Sequence, residues 1–174
     1  MSPRRTISVA VFCTAIFAAC LSCASAQAQD QKFRVRVPGL AAINASSHFE
    51  QIVHDGTDAD QLFASQNWQV VCNNHKGAVL TFETNQAFTH TTSPSIKRDV
   101  RLVLTKDVPS KWRVTNSADQ TNYAGGDEVA IVEADTRKAV DGTFNLTVTF
   151  LEELFVDTLA GDYEMTVTGT IVPK

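Results

Sequence analysis

The sequence is short of the residues that cross-link chains, ligate metals or grip polyanions. It contains four cysteines, and Cys13, Cys20 and Cys23 all fall within the first 26 positions, which leaves Cys72 with no partner for an internal disulfide. A domain of this length can rely on its apolar core instead. The place of Cys72 in an alternating apolar run predicts a buried thiol, an intermolecular bridge being the alternative. Basic residues cluster no further than pairs such as Lys97-Arg98, and the formal net charge is -4. Phosphate backbones need concentrated Lys and Arg, so nucleic acid is excluded as a partner. Beyond residue 26 no apolar run approaches the ~20 residues that a membrane-crossing helix requires. The patterns G-x-x-x-x-G-K, G-x-S-x-G and H-E-x-x-H are missing too, which removes the phosphate-cradling, nucleophile-elbow and zinc-protease classes.

The N-terminus is where the long apolar run lies. Arg4 and Arg5 precede the apolar stretch Ile7 to Leu21, and Ala24-Ser25-Ala26 places small residues where a signal peptidase reads. That order predicts a signal peptide over 1–26 and one exported domain over 27–174. Removing 1–26 takes away two arginines and no acid, leaving 13 basic against 19 acidic residues. The destination is secreted, periplasmic or cell-surface. Phe17-Ala18-Ala19-Cys20 is a loose lipoprotein site, so acylation of Cys20 is the alternative and would tether the same domain to a membrane.

Alternation with a period of two dominates the rest. Phe144, Leu146, Val148 and Phe150 share one face, and Thr143, Asn145, Thr147 and Thr149 the other. Tyr163, Met165, Val167 and Ile171 repeat the design, with Gly169 on the inner side. Shorter runs are Phe33/Val35/Val37, Trp68/Val70/Cys72, Ala78/Leu80/Phe82, Val100/Leu102/Leu104, Trp112/Val114 and Glu128 to Ala134. Turn residues separate most of them, among them Pro38-Gly39, Asn73-Asn74, Gly125-Gly126 and Asp141-Gly142. Eight or nine such strands predict an all-β fold, an antiparallel two-sheet sandwich of immunoglobulin-like or fimbrial-like type; a closed barrel would bury the same pattern. One short helix is expected near 57–66, with Thr57 as N-cap and Asp58 and Asp60 in its first turn. Leu151 to Leu159 reads as a crossover loop pinned by Leu154, Phe155 and Leu159.

Candidate chemistry is sparse. His48-Phe49-Glu50 matches half of a zinc-deaminase signature whose P-C-x-x-C half is missing. The cluster His48, Glu50, His54, Asp55, Asp58 and Asp60 lacks the oxygen spacing and fixed glycine of a calcium loop, and reads as helix-capping acids. His75 and His90 read as surface histidines, and the adjacent carboxylates Glu152 and Glu153 as loop charges. No catalytic, cofactor-binding or metal-ligating residue is assigned, and the chain is not expected to be an enzyme. Trp68 and Trp112 read as core fillers with their N–H groups near a polar rim; a ligand platform formed by Trp68, Trp112 or Tyr123 is the alternative.

The segments Thr143 to Phe150, Leu159-Ala160-Gly161-Asp162-Tyr163 and Thr166 to Ile171 resemble the closing hairpin of secreted bacterial surface β-sandwiches related to fimbrial subunits and spore-coat-U-like proteins. A looser similarity to WxL-type wall-associated domains rests on Trp68-Gln69-Val70 and Trp112-Arg113-Val114, where valine stands in place of that family's leucine. The resemblance implies an exported structural or adhesive surface subunit whose partners are other subunits, with homo-oligomers expected. A module binding carbohydrate or a cell-wall polymer is the alternative function. Strand donation between subunits would need a free N-terminal arm, for which Gln27 to Lys32 is the candidate.

Overall fold

The computed structural model describes residues 32–45, 47–108 and 110–174. The signal peptide over 1–26, the lipidation site at Cys20 and most of the arm Gln27 to Lys32 lie outside the described residues. Residues 32–36 form a unit separate from the body that begins at Val37, and carry no strand. The expected first strand is not formed: Phe33, Val35 and Val37 are 82%, 88% and 74% exposed. Pro38 cannot donate a ladder hydrogen bond. The Asn73 side chain instead takes the Leu40 N–H and donates to the Pro38 carbonyl, so regular pairing begins only at Ala41.

In chain order the strands are β1 (Ala41–Ala45), β2 (Gln61–Leu62), β3 (Gln66–Cys72), β4 (Ala78–Thr84), β5 (Phe88–His90), β6 (Lys97–Arg98) and β7 (Val100–Lys106). There follow β8 (Arg113–Asn116), β9 (Ala118–Gln120), β10 (Ile131–Asp135), β11 (Gly142–Phe150), β12 (Tyr163–Glu164) and β13 (Val167–Pro173). Two 3-10 turns among the described residues are Tyr123–Gly125 and Phe155–Asp157. The pairs are antiparallel. One sheet runs β1-β3-β11-β7-β9 with β2 added to β11, a second runs β13-β4-β10-β8, and a small third runs β12-β5-β6.

The two larger sheets press their apolar faces together. Val70, Leu102, Leu104, Phe144 and Leu146 from the first sheet pack with Leu80, Phe82, Val132 and Ala134 from the second, all 1% exposed or less. These are the inner positions of the alternating runs, which is why period two and burial coincide. Trp112 fills the interior edge-on to Phe144 at 5.4 Å and donates its indole N–H to the Val140 carbonyl. Trp68 is only half-buried, edge-on to Phe82 at 4.9 Å. Cys72 is buried, as its alternation predicts.

Two further elements depart from the sequence reading. The stretch 57–66 is bends followed by β2, not helix. Its acids serve the backbone of a distant loop: Asp58 accepts from Phe155 N–H and Asp60 from Glu152 N–H, while Asp55 just before the stretch accepts from the Thr57 N–H and hydroxyl. Side chains that bond to a neighbouring loop compete with helical pairing, and here the competition favours the loop. The C-terminal run also divides. Tyr163–Glu164 pairs with β5 in the small sheet, whereas Val167–Pro173 pairs along the whole of β4.

The strand directions define two ends. At the Gly142 end of β11 lie Asn73–Gly77, Ser110–Arg113, Thr136–Asp141 and Lys174, tied by Thr136 N–H to Ala78 O, Lys174 N–H to Gly77 O and Cys72 N–H to Asp141 Oδ1. At the Phe150 end lie β2, the small sheet and the connection 151–162.

Candidate functional site

The densest polar cluster sits at the Phe150 end, where β11 runs out. Glu152 has a fully buried side chain, contrary to its reading as a loop charge. Its Oε1 receives the Glu153 N–H at 3.1 Å and lies 3.4 Å from Arg98 Nε. Its Oε2 accepts the Thr158 hydroxyl at 2.7 Å and lies 3.3 Å from His54 Nε2. A buried carboxylate is tolerated only when its charge and lone pairs are met, and here they are. Arg98, on β6, also donates to Thr158 Oγ1 and to the Asp157 carbonyl at 2.7 Å.

His54 stacks on Phe155 with ring centroids 5.0 Å apart, and its Nδ1 accepts the Gly56 N–H at 3.0 Å. Its Nε2 is buried beside the Glu152 carboxylate without forming a hydrogen bond. On the other flank His90 is 3% exposed, again contrary to the surface reading. Its Nδ1 accepts from Ser93 N–H, and its Nε2 lies 3.3 Å from the Ala160 carbonyl. Gly161 has φ +151, and a Cβ there would collide with His90 Nε2, so only glycine lets the loop pass over the imidazole. Tyr163 lies edge-on to His90 and donates its hydroxyl to Leu159 O; burial raises its pKa above the ordinary 10.0.

Chemically this cluster is a fastening. Its carboxylate is enclosed and its nitrogens face carboxylate, carbonyl or backbone N–H groups. What it fastens is the connection 151–162, and the result is a fixed apolar tip. Leu154, Phe155, Val156 and Leu159 are 51%, 41%, 84% and 44% exposed. Phe155 pins the loop through its stack on His54, as expected, while Leu154 and Leu159 stand largely outward and Asp58, Arg98 and Glu152 hold the rest by hydrogen bonds.

The remaining candidates scatter. His48 and Glu50 are exposed without joining the Glu152 cluster, and His75 is exposed at the opposite end. Asp55 is held below the usual carboxylate range, chiefly by the Thr57 hydroxyl and N–H. Among the described residues no group of three or more His, Cys, Asp or Glu side chains is placed to hold a metal ion. Neither indole forms an open platform: Trp112 is buried and Trp68 is wedged against Phe82 and Gly169. Tyr123 is half-buried in the 3-10 turn after β9. Among the described residues no helix is long and apolar enough to cross a membrane.

Two surface features were not singled out from the sequence. Strands β1 and β13 end their sheets side by side without pairing to one another, and half-buried Ile43, Trp68, Val167 and Ile171 lie beneath that seam. At the Gly142 end, Lys111, Arg113, Arg137 and Lys138 line a hollow together with Asp135 and Thr136. Asp135 is neutralised there by Lys174 at 2.8 Å and Arg113 at 3.2 Å. The sequence matches no protein-family model and no curated protein.

Proposed function

We propose that the chain is an exported, non-enzymatic structural or adhesive surface protein that assembles with further copies of itself through its sheet edges. The observation that carries this reading is the seam between β1 and β13. An edge strand offers unpaired N–H and C=O groups to a further strand, and half-buried apolar side chains between two such edges would gain from the cover. The occupant that fits is the Phe33–Val37 segment of a second copy. Its apolar side chains alternate and stand exposed, and Arg34 and Arg36 would face the outer surface of the second sheet, where Glu83, Glu133 and Asp135 lie.

The test is sedimentation of the protein lacking residues 1–26, with and without Val35→Asp. Concentration-dependent polymers that the variant shortens or abolishes are expected. A monodisperse monomer at every concentration, or polymers indifferent to the substitution, overturns this mode of assembly. Export is tested separately, by cell fractionation and mass-spectrometric identification of the mature N-terminus; an intact N-terminus in the cytosol overturns it.

A further inference from the structure

The body is electrically and chemically two-ended. The Phe150 end carries the apolar tip inside a strongly acidic segment: Leu151–Glu164 holds Glu152, Glu153, Asp157, Asp162 and Glu164 and not one lysine or arginine. Glu152 is enclosed, but Glu153 and Asp157 stand exposed on either side of Leu154-Phe155-Val156. At the opposite end the hollow is rimmed by exposed Lys111, Arg137 and Lys138, with Arg113 beside them and Asp135 already matched by two cations. The nine residues of β11 separate the two ends by roughly 26 Å at ~3.3 Å per residue.

We infer that these ends are two halves of one interface, and that the acidic apolar tip of one copy docks into the basic hollow of a second. This rests on the subunit reading above but uses a surface distinct from the β1/β13 seam. Three observations support it. The exposed charges flanking the tip, Glu153 and Asp157, are acidic and the exposed rim charges Lys111, Arg137 and Lys138 are basic, so each copy carries both complementary surfaces. The tip is held before binding: Asp58 accepts the Phe155 N–H at 2.8 Å, Arg98 donates to the Asp157 carbonyl at 2.7 Å, and the Thr158 N–H bonds to Phe155 O. Such prior ordering spares the side-chain and loop entropy that docking otherwise costs. Among the described residues Lys111, Arg137 and Lys138 form no salt bridge, the only acid in the hollow, Asp135, being matched by Lys174 and Arg113, so the rim keeps uncompensated positive charge for an acidic partner. A contact between unlike ends is heterologous, so copies add head to tail in an open row rather than closing as a two-fold dimer.

The test is analytical ultracentrifugation of the protein lacking residues 1–26 at low and high salt, with two double variants, Arg137→Glu with Lys138→Glu and Glu153→Lys with Asp157→Lys. Thermal melts confirm that each variant is folded. Association of the parent should be strong in dilute buffer and fall when salt shortens the screening length from about 30 Å toward 3 Å. Each variant alone should associate at least tenfold more weakly, and mixing the two should restore association, because the reversed charges complement one another. Polymers that ignore both reversals and the salt overturn this contact while leaving the seam intact. Loss on reversing the hollow but not the tip, with binding of an acidic polysaccharide to the parent, overturns it in favour of a polyanion site. A parent that stays monomeric at low salt overturns both this contact and the seam.

Discussion

At the level of single residues, Gly169 shows how little spare volume the interior has. It lies on the inward face of β13, and a Cβ there would come within 2.8 Å of Ile43 Cδ1, 3.0 Å of the Phe82 ring and 3.1 Å of Trp68. Gly169→Ala should lower stability by about 1–3 kcal/mol, the usual effect of an extra carbon in a filled core, measured as a fall in the urea midpoint. Asp135 is a surface counterpart. Its carboxyl is held below the ordinary 3.8, first by the Lys174 hydrogen bond, which outweighs the opposing effect of burial, and then by the Arg113 hydrogen bond and the charges of both cations. A depressed folded value adds stability above the unfolded pKa and loses it as pH falls through the carboxylate range. Asp135→Asn should therefore lower stability at pH 7, and flatten its decline below about pH 4. Lys174 and Arg113 are 30% and 67% exposed, so the effect should be only about 0.5–1 kcal/mol in thermal melts across pH.

At the level of elements, the informative comparison is between strands that alternation located and loops that it misjudged. Ala78/Leu80/Phe82, Val100/Leu102/Leu104 and Phe144/Leu146 all became core because a period of two is itself the geometry of a half-buried strand. Phe33/Val35/Val37 has the same pattern without a ladder, since alternation records a need for cover and not where the cover comes from. The segment 57–66 failed as a helix because Asp58 and Asp60 reach loop N–H groups some 90 positions along the chain, a relation with no local signature. Glu152 and His90 were misread for the same reason: polar residues in a loop look solvated until their distant partners are known. Breaking that fastening gives a direct check. Glu152→Ala would leave Arg98 and His54 beside an empty pocket and should cost about 3–5 kcal/mol. Limited proteolysis should then cut first within 151–162.

On the scale of the whole molecule, the sheets are stitched mainly by pairs distant in sequence. β3 pairs with β11, β4 with β13, and β7 with β11, while the single strand region Arg113–Gln120 passes from the second sheet to the first at Ser117. Loop closure must precede most of these pairings, so refolding should take milliseconds to seconds, with stopped-flow Trp fluorescence as the readout. A microsecond phase of full amplitude would contradict the topology. Cys72, the free thiol on β3, carries a consequence of its own. Maleimides cannot reach sulfur sealed at 2% exposure, so protein lacking residues 1–26 should gain no mass from the reagent until β3 parts from its neighbours. Its rate of labelling then counts openings of the sandwich one molecule at a time, with no dye and no engineered probe.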